Sequence, residues 1–371
     1  MKVGLITTLN TNIGDDLIRK GILHLLITTC AGHQIEIVSV NKHDPLTVYP
    51  DWHPIHATKL SRHLPRHYRI DRWIEHSMPR LRQSRFDSCD LIVQCGAPVF
   101  WNDCHRTPWA KPLWHEVVGR LHQRIPTLNL AAGSCYPWEQ QPEHFSQEDE
   151  AYVRAILSYC RLTTVRDVLA QRLCSNLGAQ TPVVPCTALL AAGDASQNAE
   201  EDGYILINYM EGGGHYEWDQ GIDPAEWHRT TVSLIRRIQQ RHKVLFLCHD
   251  EKEYHLTRGI DPSIPCFWPK TVNEYFQDMP PIKAAVCNRM HASVALAGLG
   301  IPSIAVCTDT RLLMVDALGL PCYYAKDANV DRLESDVENL ADSFSQWKER
   351  LLQMKIDTQT RYLDLIQETL R

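Results

Sequence analysis

Short, fully apolar runs alternate with longer amphipathic segments along the whole chain. Each apolar run spans only four to six residues, and a stretch with helical periodicity follows it. Strands that lack an alternating polar face are typical of parallel sheets covered by helices on both sides. We therefore predict buried parallel strands at residues 3–7, 35–40, 91–95, 127–131, 162–165, 204–208, 244–248, 284–287 and 303–306.

The predicted strands fall into two groups, separated by a small, polar, glycine-containing segment at 191–203. Such a composition is typical of interdomain linkers, and 371 residues are about twice a usual domain length. We predict an α/β protein with two Rossmann-like domains facing a cleft, at residues 1–192 and 203–340. Helical periodicity towards the end predicts C-terminal helices, at 341–371, that pack across both domains.

Composition and charge exclude several classes of function. Hydrophobic residues make up 44% of the chain and the formal net charge is −6, which argues against a nucleic-acid partner. No apolar run approaches the roughly 20 residues that span a bilayer, so we expect no transmembrane segment. The thirteen cysteines form no Cys-x-x-Cys pair, which favours a reducing cytoplasm and no metal site.

A turn rich in Asn and Gly follows the first predicted strand. Asn12 and Gly14 lie in this turn, and Asp15 opens the next helix. Free N–H groups and the positive end of a helix meet there at the carboxyl edge of the sheet, where open α/β folds bind ligands. The alternative is a plain βα turn with Asp15 as a helix cap.

Arg166 stands at the end of the fifth predicted strand, just before Asp167, which is placed to cap the following helix. An arginine at this edge would point into the cleft and suit a carboxylate or phosphate held by two parallel hydrogen bonds. The alternative is a structural ion pair with a neighbouring acid.

The densest group of candidates is Arg289-Met290-His291, directly after the strand at 284–287. A small-residue helix is predicted from about residue 292 to 299, so Arg289 and His291 should lie on the βα loop close to its N-terminus. A guanidinium, an imidazole and free N–H groups together favour an anion, and a histidine can exchange a proton near neutral pH. This pairing favours a functional role over a structural one.

A glycine-rich loop at 208–218 follows the first strand of the second group. It carries Glu211, a candidate for substrate contact, and Trp218, which could stack on a sugar ring beside Tyr216. The alternative is a loop without a binding role. The same two options hold for a second aromatic group, formed by Trp101, Trp109 and Trp114.

With these residues in place, the chain resembles the polysaccharide pyruvyl transferase family. The resemblance rests on Asn12-Ile13-Gly14-Asp15, on Thr164-Val165-Arg166-Asp167, and on Arg289-Met290-His291 running into Ala297-Gly298-Leu299-Gly300-Ile301-Pro302, in matching order over roughly residues 3 to 325. It implies a GT-B-like glycosyltransferase architecture, with the acceptor on the N-terminal domain and the donor on the C-terminal domain.

The resemblance also implies a reaction, the transfer of pyruvate from phosphoenolpyruvate to two hydroxyls of a sugar or glycan as a ketal. Arg166 and the Arg289-Met290 pair would bind the donor's phosphate and carboxylate. His291 would act as general acid or stabilise the leaving phosphate, and Asp15 or Glu211 would assist the acceptor hydroxyls. Phosphoenolpyruvate is then a substrate, and no cofactor is expected.

Two segments depart from the family pattern. Gln94-Cys95-Gly96-Ala97-Pro98 stands where a glycine-rich turn is usual, and Pro185-Cys186 replaces a Pro-Asp pair. Two alternatives therefore stay open: a nucleotide-sugar-dependent glycosyltransferase of the same fold, and a non-catalytic anion-binding or scaffold protein. We expect a cytoplasmic protein, peripheral to the inner membrane if the acceptor is lipid-linked, and homo-oligomer formation stays open.

Overall fold

Two parallel β-sheets of six strands each, covered by helices, organise the chain. The computed structural model describes residues 1–9, 13–30, 34–56, 83–96, 98–193, 199–216 and 218–371. Each of the nine strands predicted from the apolar runs is present, because runs of this kind can bury both faces inside a helix-covered sheet.

The first sheet has the order β2–β1–β3–β5–β6, and β4 also pairs with β5. Cys95 of β3 pairs with Leu130 of β5, and Pro98 of β4 pairs with Gly133 of the same strand. The pairing keeps the same register on both sides of the break, so β4 continues β3. Its strands are β1 (Lys2–Thr7), β2 (Glu36–Asn41), β3 (Leu91–Cys95), β4 (Pro98–Phe100), β5 (Thr127–Ser134) and β6 (Leu162–Val165).

The second sheet has the order β12–β11–β10–β7–β8–β9. Counted from β7 as its first strand, this is the 3-2-1-4-5-6 order of a Rossmann fold, read from the opposite edge. Its strands are β7 (Ala199–Asn208), β8 (Val244–Leu247), β9 (Cys266–Phe267), β10 (Ile282–Cys287), β11 (Ser303–Cys307) and β12 (Cys322–Tyr324).

Helices connect the strands and cover both sheets, as parallel pairing requires. Asp167 caps one of them as predicted, since its side chain accepts a hydrogen bond from the Ala170 N–H at 2.7 Å. The helices are α1 (Ile13–Thr29), α2 (the π-helical Ala110–Val118 continued by Gly119–Leu121), α3 (Gln147–Tyr159), α4 (Val168–Asn176), α5 (Pro224–Ile238), α6 (Glu251–Ile260), α7 (Val272–Gln277), α8 (Met290–Ala297), α9 (Leu313–Asp316), α10 (Val330–Asp342) and α11 (Phe344–Leu370).

One hydrophobic core continues from the first sheet into the second. Helices α1 and α8 meet there, on either side of the short 3₁₀ helix Thr187–Leu190. Two glycines permit this close approach. A Cβ at Gly21 would lie 1.8 Å from the Thr187 carbonyl oxygen, and one at Gly298 would lie 2.2 Å from that of Leu189. The two domains are therefore packed together through backbone contacts as well as side chains.

A polar bridge joins the domains on the cleft side. Thr310 accepts a hydrogen bond from the Tyr136 N–H at 3.0 Å, and its own N–H donates to the Tyr136 carbonyl oxygen at 3.0 Å. The Thr310 hydroxyl also lies 3.0 Å from that of Ser134. Lys326 forms an ion pair with Glu139 at 2.9 Å across the same boundary. These contacts hold the carboxyl ends of the two sheets opposite each other.

Helix α11 contacts both domains. The Tyr362 hydroxyl donates to the Pro185 carbonyl oxygen at 2.9 Å, and Lys348 Nζ donates to the Ala199 carbonyl oxygen at 2.8 Å. Like the other helices of the described residues, α11 lacks the long apolar stretch that crossing a membrane would require.

Candidate active site between the two sheets

A cavity of about 610 Å³, here called the interdomain cavity, lies where the carboxyl ends of the two sheets face each other. Its wall consists of residues that follow the ends of β1, β2, β4 and β5 on one side and of β7, β8, β10 and β11 on the other. The N-terminal domain contributes Asp15, Lys42, His43, Trp101, Asn102, Thr107, Trp109, Cys135 and Pro137. The C-terminal domain contributes His215, Tyr216, Trp218, His249, Asp250, Arg289, His291 and Arg311.

Arg289 lies on the cavity wall, where its guanidinium forms ion pairs with two carboxylates. Its Nε donates to Glu253 Oε1 and its NH2 donates to Asp250 Oδ2, both at 2.5 Å. Its backbone N–H donates to Asn208 Oδ1 at 2.8 Å, which fixes the residue at the N-cap of α8. Two acids orient this guanidinium, and NH1 is left to face His215 and the cavity.

His291 also borders the cavity, but in the first turn of α8 rather than on the preceding loop. The helix begins at Met290, two residues earlier than the sequence pattern predicts, because Arg289 occupies the N-cap. His291 Nε2 lies 3.2 Å from Arg166 NH1, a hydrogen bond that joins the two domains.

This hydrogen bond determines the tautomer of His291. A guanidinium can only donate, so His291 Nε2 must accept, and the ring proton resides on Nδ1. Burial lowers the pKa of His291 well below its usual value, and the positive charges of Arg166 and Arg311 lower it further. His291 is therefore neutral near pH 7 and offers an Nδ1–H donor.

Arg166 lies behind His291, and the structure does not place it on the cavity wall. The residue is fully buried. Its NH1 contacts His291 and also donates to Cys186 Sγ at 3.6 Å, whereas Nε and NH2 have no hydrogen-bond partner in the described structure. Gly133 provides the room, since a Cβ there would lie 2.2 Å from Arg166 Nε. Arg166 thus acts on the cavity through His291.

The other predicted residues are distributed unevenly around the site. Asp15 and Trp218 line the interdomain cavity, together with Tyr216, Trp101 and Trp109. Gly14 and Met290 are buried close to cavity residues without lining the cavity, and Trp114 is buried in the core of the N-terminal domain. Glu211 is exposed and pairs with Lys252 at 3.4 Å, outside the cavity wall. Asn12 lies outside the described residues.

Four basic residues of the cavity wall were not predicted from the sequence: Lys42, His43, His249 and Arg311. Each comes within one to four residues of the end of a strand, which is the signal that could have found them. Arg311 forms a bidentate pair with Asp309 at 2.8 and 2.5 Å and packs against the Tyr216 ring.

Lys42 differs from the two arginines because it has no salt bridge among the described residues. Its side chain is buried, and Nζ lies 5.2 Å from the centre of the Trp109 ring. Burial lowers the pKa of Lys42, and the nearby Asp15 carboxylate partly offsets that effect. A cation in this setting gains the most from an anionic ligand.

The described residues contain no group of three or more His, Cys, Asp or Glu side chains arranged to hold a metal ion. The chemistry that they do offer is recognition of an anion by Lys42, Arg289 and Arg311, together with proton exchange by histidines. Aromatic rings on both sides of the cavity provide flat surfaces for a sugar.

Comparisons with known proteins identify the family and the fold. The sequence model of the family described as polysaccharide pyruvyl transferase matches residues 12–309. The chain belongs to the polysaccharide pyruvyl transferase family, and it is a transferase that acts in polysaccharide biosynthesis. No curated protein sequence matches the chain significantly.

Solved structures are similar in fold. A putative UDP-N-acetylglucosamine 2-epimerase from Listeria monocytogenes is 11% identical with a TM-score of 0.55, covering 95% of this chain and 90% of that one. The UDP-N-acetylglucosamine 2-epimerase of Neisseria meningitidis is 10% identical with a TM-score of 0.51, covering 95% and 94%. The Methanocaldococcus jannaschii enzyme is 13% identical with a TM-score of 0.51, covering 92% and 93%. These likenesses confirm the predicted fold class, two Rossmann-like domains in a GT-B-like arrangement.

Proposed function

We propose that the protein transfers pyruvate from phosphoenolpyruvate to two hydroxyls of a sugar or glycan, forming a ketal and releasing phosphate. The observation that carries this proposal is the group of three cationic side chains on the wall of the interdomain cavity. Lys42, Arg289 and Arg311 line the same cavity, together with the carboxylates of Asp15 and Asp250, in a chain whose net charge is −6. A small, highly charged anion such as phosphoenolpyruvate fits this arrangement, because desolvated cations bind anions strongly.

The two sides of the cavity suit different substrates. Arg289, Arg311 and His291 lie on the C-terminal domain and would bind the donor there. Trp101 and Trp109 lie on the N-terminal domain, where an acceptor sugar could stack, and Asp15 stands beside them to orient its hydroxyls. Glu211 lies outside the cavity wall, so we favour Asp15 for this role.

Of the two roles considered for His291, the neutral tautomer favours stabilisation of the leaving phosphate. An Nδ1–H group can donate to a phosphate oxygen as negative charge develops on it. Proton transfer to carbon would instead require an imidazolium, which the neighbouring Arg166 disfavours. Arg166 would then act as a positioning residue that fixes the ring of His291.

We place this reaction in the cytoplasm, or at the inner membrane surface if the acceptor is lipid-linked. All thirteen cysteines are free, which supports a reducing compartment.

A direct test compares ligands by thermal shift and phosphate release. Phosphoenolpyruvate at 100 times its Kd should stabilise the protein by about 2.7 kcal/mol. Phosphate release should require both phosphoenolpyruvate and a glycan acceptor. A nucleotide-sugar donor is the main competitor, since two of the similar structures are complexes with UDP-GlcNAc. Stabilisation by UDP- or GDP-sugars alone would reject the pyruvyl donor, and no phosphate release with any acceptor would favour a scaffold role.

The role of His291 is tested by single-turnover kinetics on His291→Gln. Loss of the Nδ1–H donor should lower the rate of phosphate release by about 10²-fold or more. The matched control is His255→Gln, a histidine that is largely exposed on α6 and outside the cavity wall, and it should retain the wild-type rate. A rate for His291→Gln within a fewfold of wild type would reject the assignment.

A further inference from the structure

The proposed reaction needs a carrier for one proton, and the following inference rests on that proposed function. The first acceptor hydroxyl loses its proton as its oxygen bonds to C2 of phosphoenolpyruvate. The electron pair of the C2–C3 double bond takes up a proton at C3, giving the methyl group. The C2–O bond to phosphate then breaks with its electron pair, and the second hydroxyl bonds to C2 as its proton passes to phosphate.

His291 is poorly placed to carry the first proton. Its Nε2 already accepts from Arg166 at 3.2 Å, so a second ring proton would have to displace that donor. His215 is also engaged, because its Nδ1 faces Arg289 NH1 at 3.5 Å. His43 lies on the exposed rim with its ring edge against Trp109.

His249 differs from these histidines in the hydrogen bonding of its ring. It borders the interdomain cavity and is only 9% exposed, yet neither Nδ1 nor Nε2 has a hydrogen-bond partner among the described residues. A buried imidazole without partners is costly, since its polar atoms lose their contacts with water. Because His249 also borders the cavity, its side chain is a candidate to contact a bound ligand.

The backbone around His249 is held firmly. Its N–H donates to Glu253 Oε2 at 2.7 Å, and the other oxygen of that carboxylate binds Arg289 Nε. The ring packs edge-on against Tyr275, with the ring centres 5.7 Å apart. One carboxylate thus positions both His249 and Arg289, which places a free imidazole beside a cation that would bind the donor.

We propose that His249 is the proton carrier of the reaction: it takes the proton of the first acceptor hydroxyl and delivers it to C3 of phosphoenolpyruvate. Both positions are within the range of one imidazole, because the attacking oxygen and C3 bond to the same carbon, C2. The transfer leaves His249 neutral again at the end of the addition.

The charges around His249 suit this cycle. Burial, followed by the positive charge of Arg289, lowers the pKa of His249 well below its usual value, so the ring starts neutral and can accept a proton. The groups that face or adjoin it are Arg289, His291, Tyr275, Asp250 and Glu253. An anionic donor bound at Arg289 would raise the pKa of His249 and stabilise the imidazolium while it holds the proton.

The test is steady-state kinetics on His249→Gln, with phosphoenolpyruvate, a glycan acceptor and phosphate release as the readout. We expect kcat to fall by about 10²–10⁴-fold, the range for loss of a general acid–base group. The thermal shift given by phosphoenolpyruvate should persist. The wild-type kcat should decline at acidic pH as His249 becomes protonated before the transfer, and this decline should be absent in the variant.

His255→Gln serves as the matched control and should keep the wild-type kcat and pH profile. His249→Asn provides a second variant if His249→Gln lowers the Tm. A kcat within threefold of wild type, an unchanged acidic decline, or loss of the phosphoenolpyruvate shift would each overturn the role of His249. If the wild-type protein itself releases no phosphate, the proposed function fails instead, so the two failures are distinguishable.

Discussion

At the scale of single residues, the hydrogen bond between Arg166 and His291 has two effects. It joins the two domains, and it favours the neutral form of His291. Neither residue could have this role alone, because the guanidinium belongs to the residue directly after β6 and the imidazole to α8. Burial keeps both His291 and His249 neutral in the folded protein. Under the proposed function, both imidazoles are therefore neutral before any substrate binds.

This has a consequence for stability against pH. The pKa values of His249 and His291 are lowered in the folded protein, so below pH 6.5 the unfolded chain binds protons that the folded chain does not. The free energy of unfolding should fall with decreasing pH, by up to about 1.4 kcal/mol per pH unit for each histidine. We expect the Tm to drop between pH 7 and pH 5.

The measurement is Tm against pH for wild type and for the double variant His249→Gln/His291→Gln. The double variant should show a flatter dependence, whereas His255→Gln should follow wild type. Phosphoenolpyruvate should reduce the fall in Tm at acidic pH, since a bound anion raises the pKa values of His249 and His291. If Tm fell equally steeply with pH in the double variant and in wild type, other groups would be the cause of the acid sensitivity.

A motif or a glycine turn in the sequence marked three of the residues that the structure places on the cavity wall. Asp15, Arg289 and His291 were found in this way, and the cavity includes all three. Lys42 and His249 were missed because each is an isolated residue after a strand. The burial of Arg166 could not be predicted, since it depends on the space left by Gly133 on a different strand.

At the scale of elements, the apolar runs predicted every long strand, whereas three short strands were missed. β4, β9 and β12 contain only two or three residues each, too few to show a pattern of their own. They form because a neighbouring strand already presents an open edge. The start of α8 was placed two residues late because the Arg289 N-cap has no capping side chain that the sequence could reveal.

Packing between elements gives a second test, at Gly21 on α1. A methyl group there would meet the Thr187 carbonyl oxygen at 1.8 Å, so Gly21→Ala must push α1 away from the 3₁₀ helix. We expect a loss of about 1–3 kcal/mol in the free energy of unfolding, measured with denaturant.

Gly259→Ala on α6 is the matched control for this test. A Cβ at Gly259 meets nothing within 4 Å, and alanine favours the helix, so the variant should gain about 0.5–1 kcal/mol. If both variants changed stability by the same amount and sign, the close contact between α1 and the 3₁₀ helix would not be a determinant of stability.

At the scale of the whole molecule, the mutual position of the domains decides the shape of the cavity. The bridge through Thr310 connects residues 174 and 176 positions apart in sequence, and the Arg166–His291 bond spans 125. Contacts of this kind have no local pattern. The two domains could therefore be predicted from the sequence, but not how their facing edges would fit together.

Removal of the Thr310 hydroxyl should loosen this arrangement. In Thr310→Val, the buried Tyr136 N–H and the Ser134 hydroxyl lose a partner, which costs about 1–3 kcal/mol. We also expect a higher KM for the acceptor, because the two cavity walls are then less well aligned. The control Thr369→Val removes only a hydroxyl bonded to the Leu365 carbonyl within α11. A Thr310→Val protein with wild-type stability and KM would contradict the bridge's role.

Helix α11 has a consequence for the order of events during biosynthesis. Leu351, Tyr362, Leu365 and Ile366 belong to the same buried core as the first strand, although the ribosome makes them more than 340 residues later. The first half of the chain therefore emerges with an apolar surface that its own residues leave uncovered. The packing of this core is therefore completed only when α11, the last helix to be synthesised, is in place.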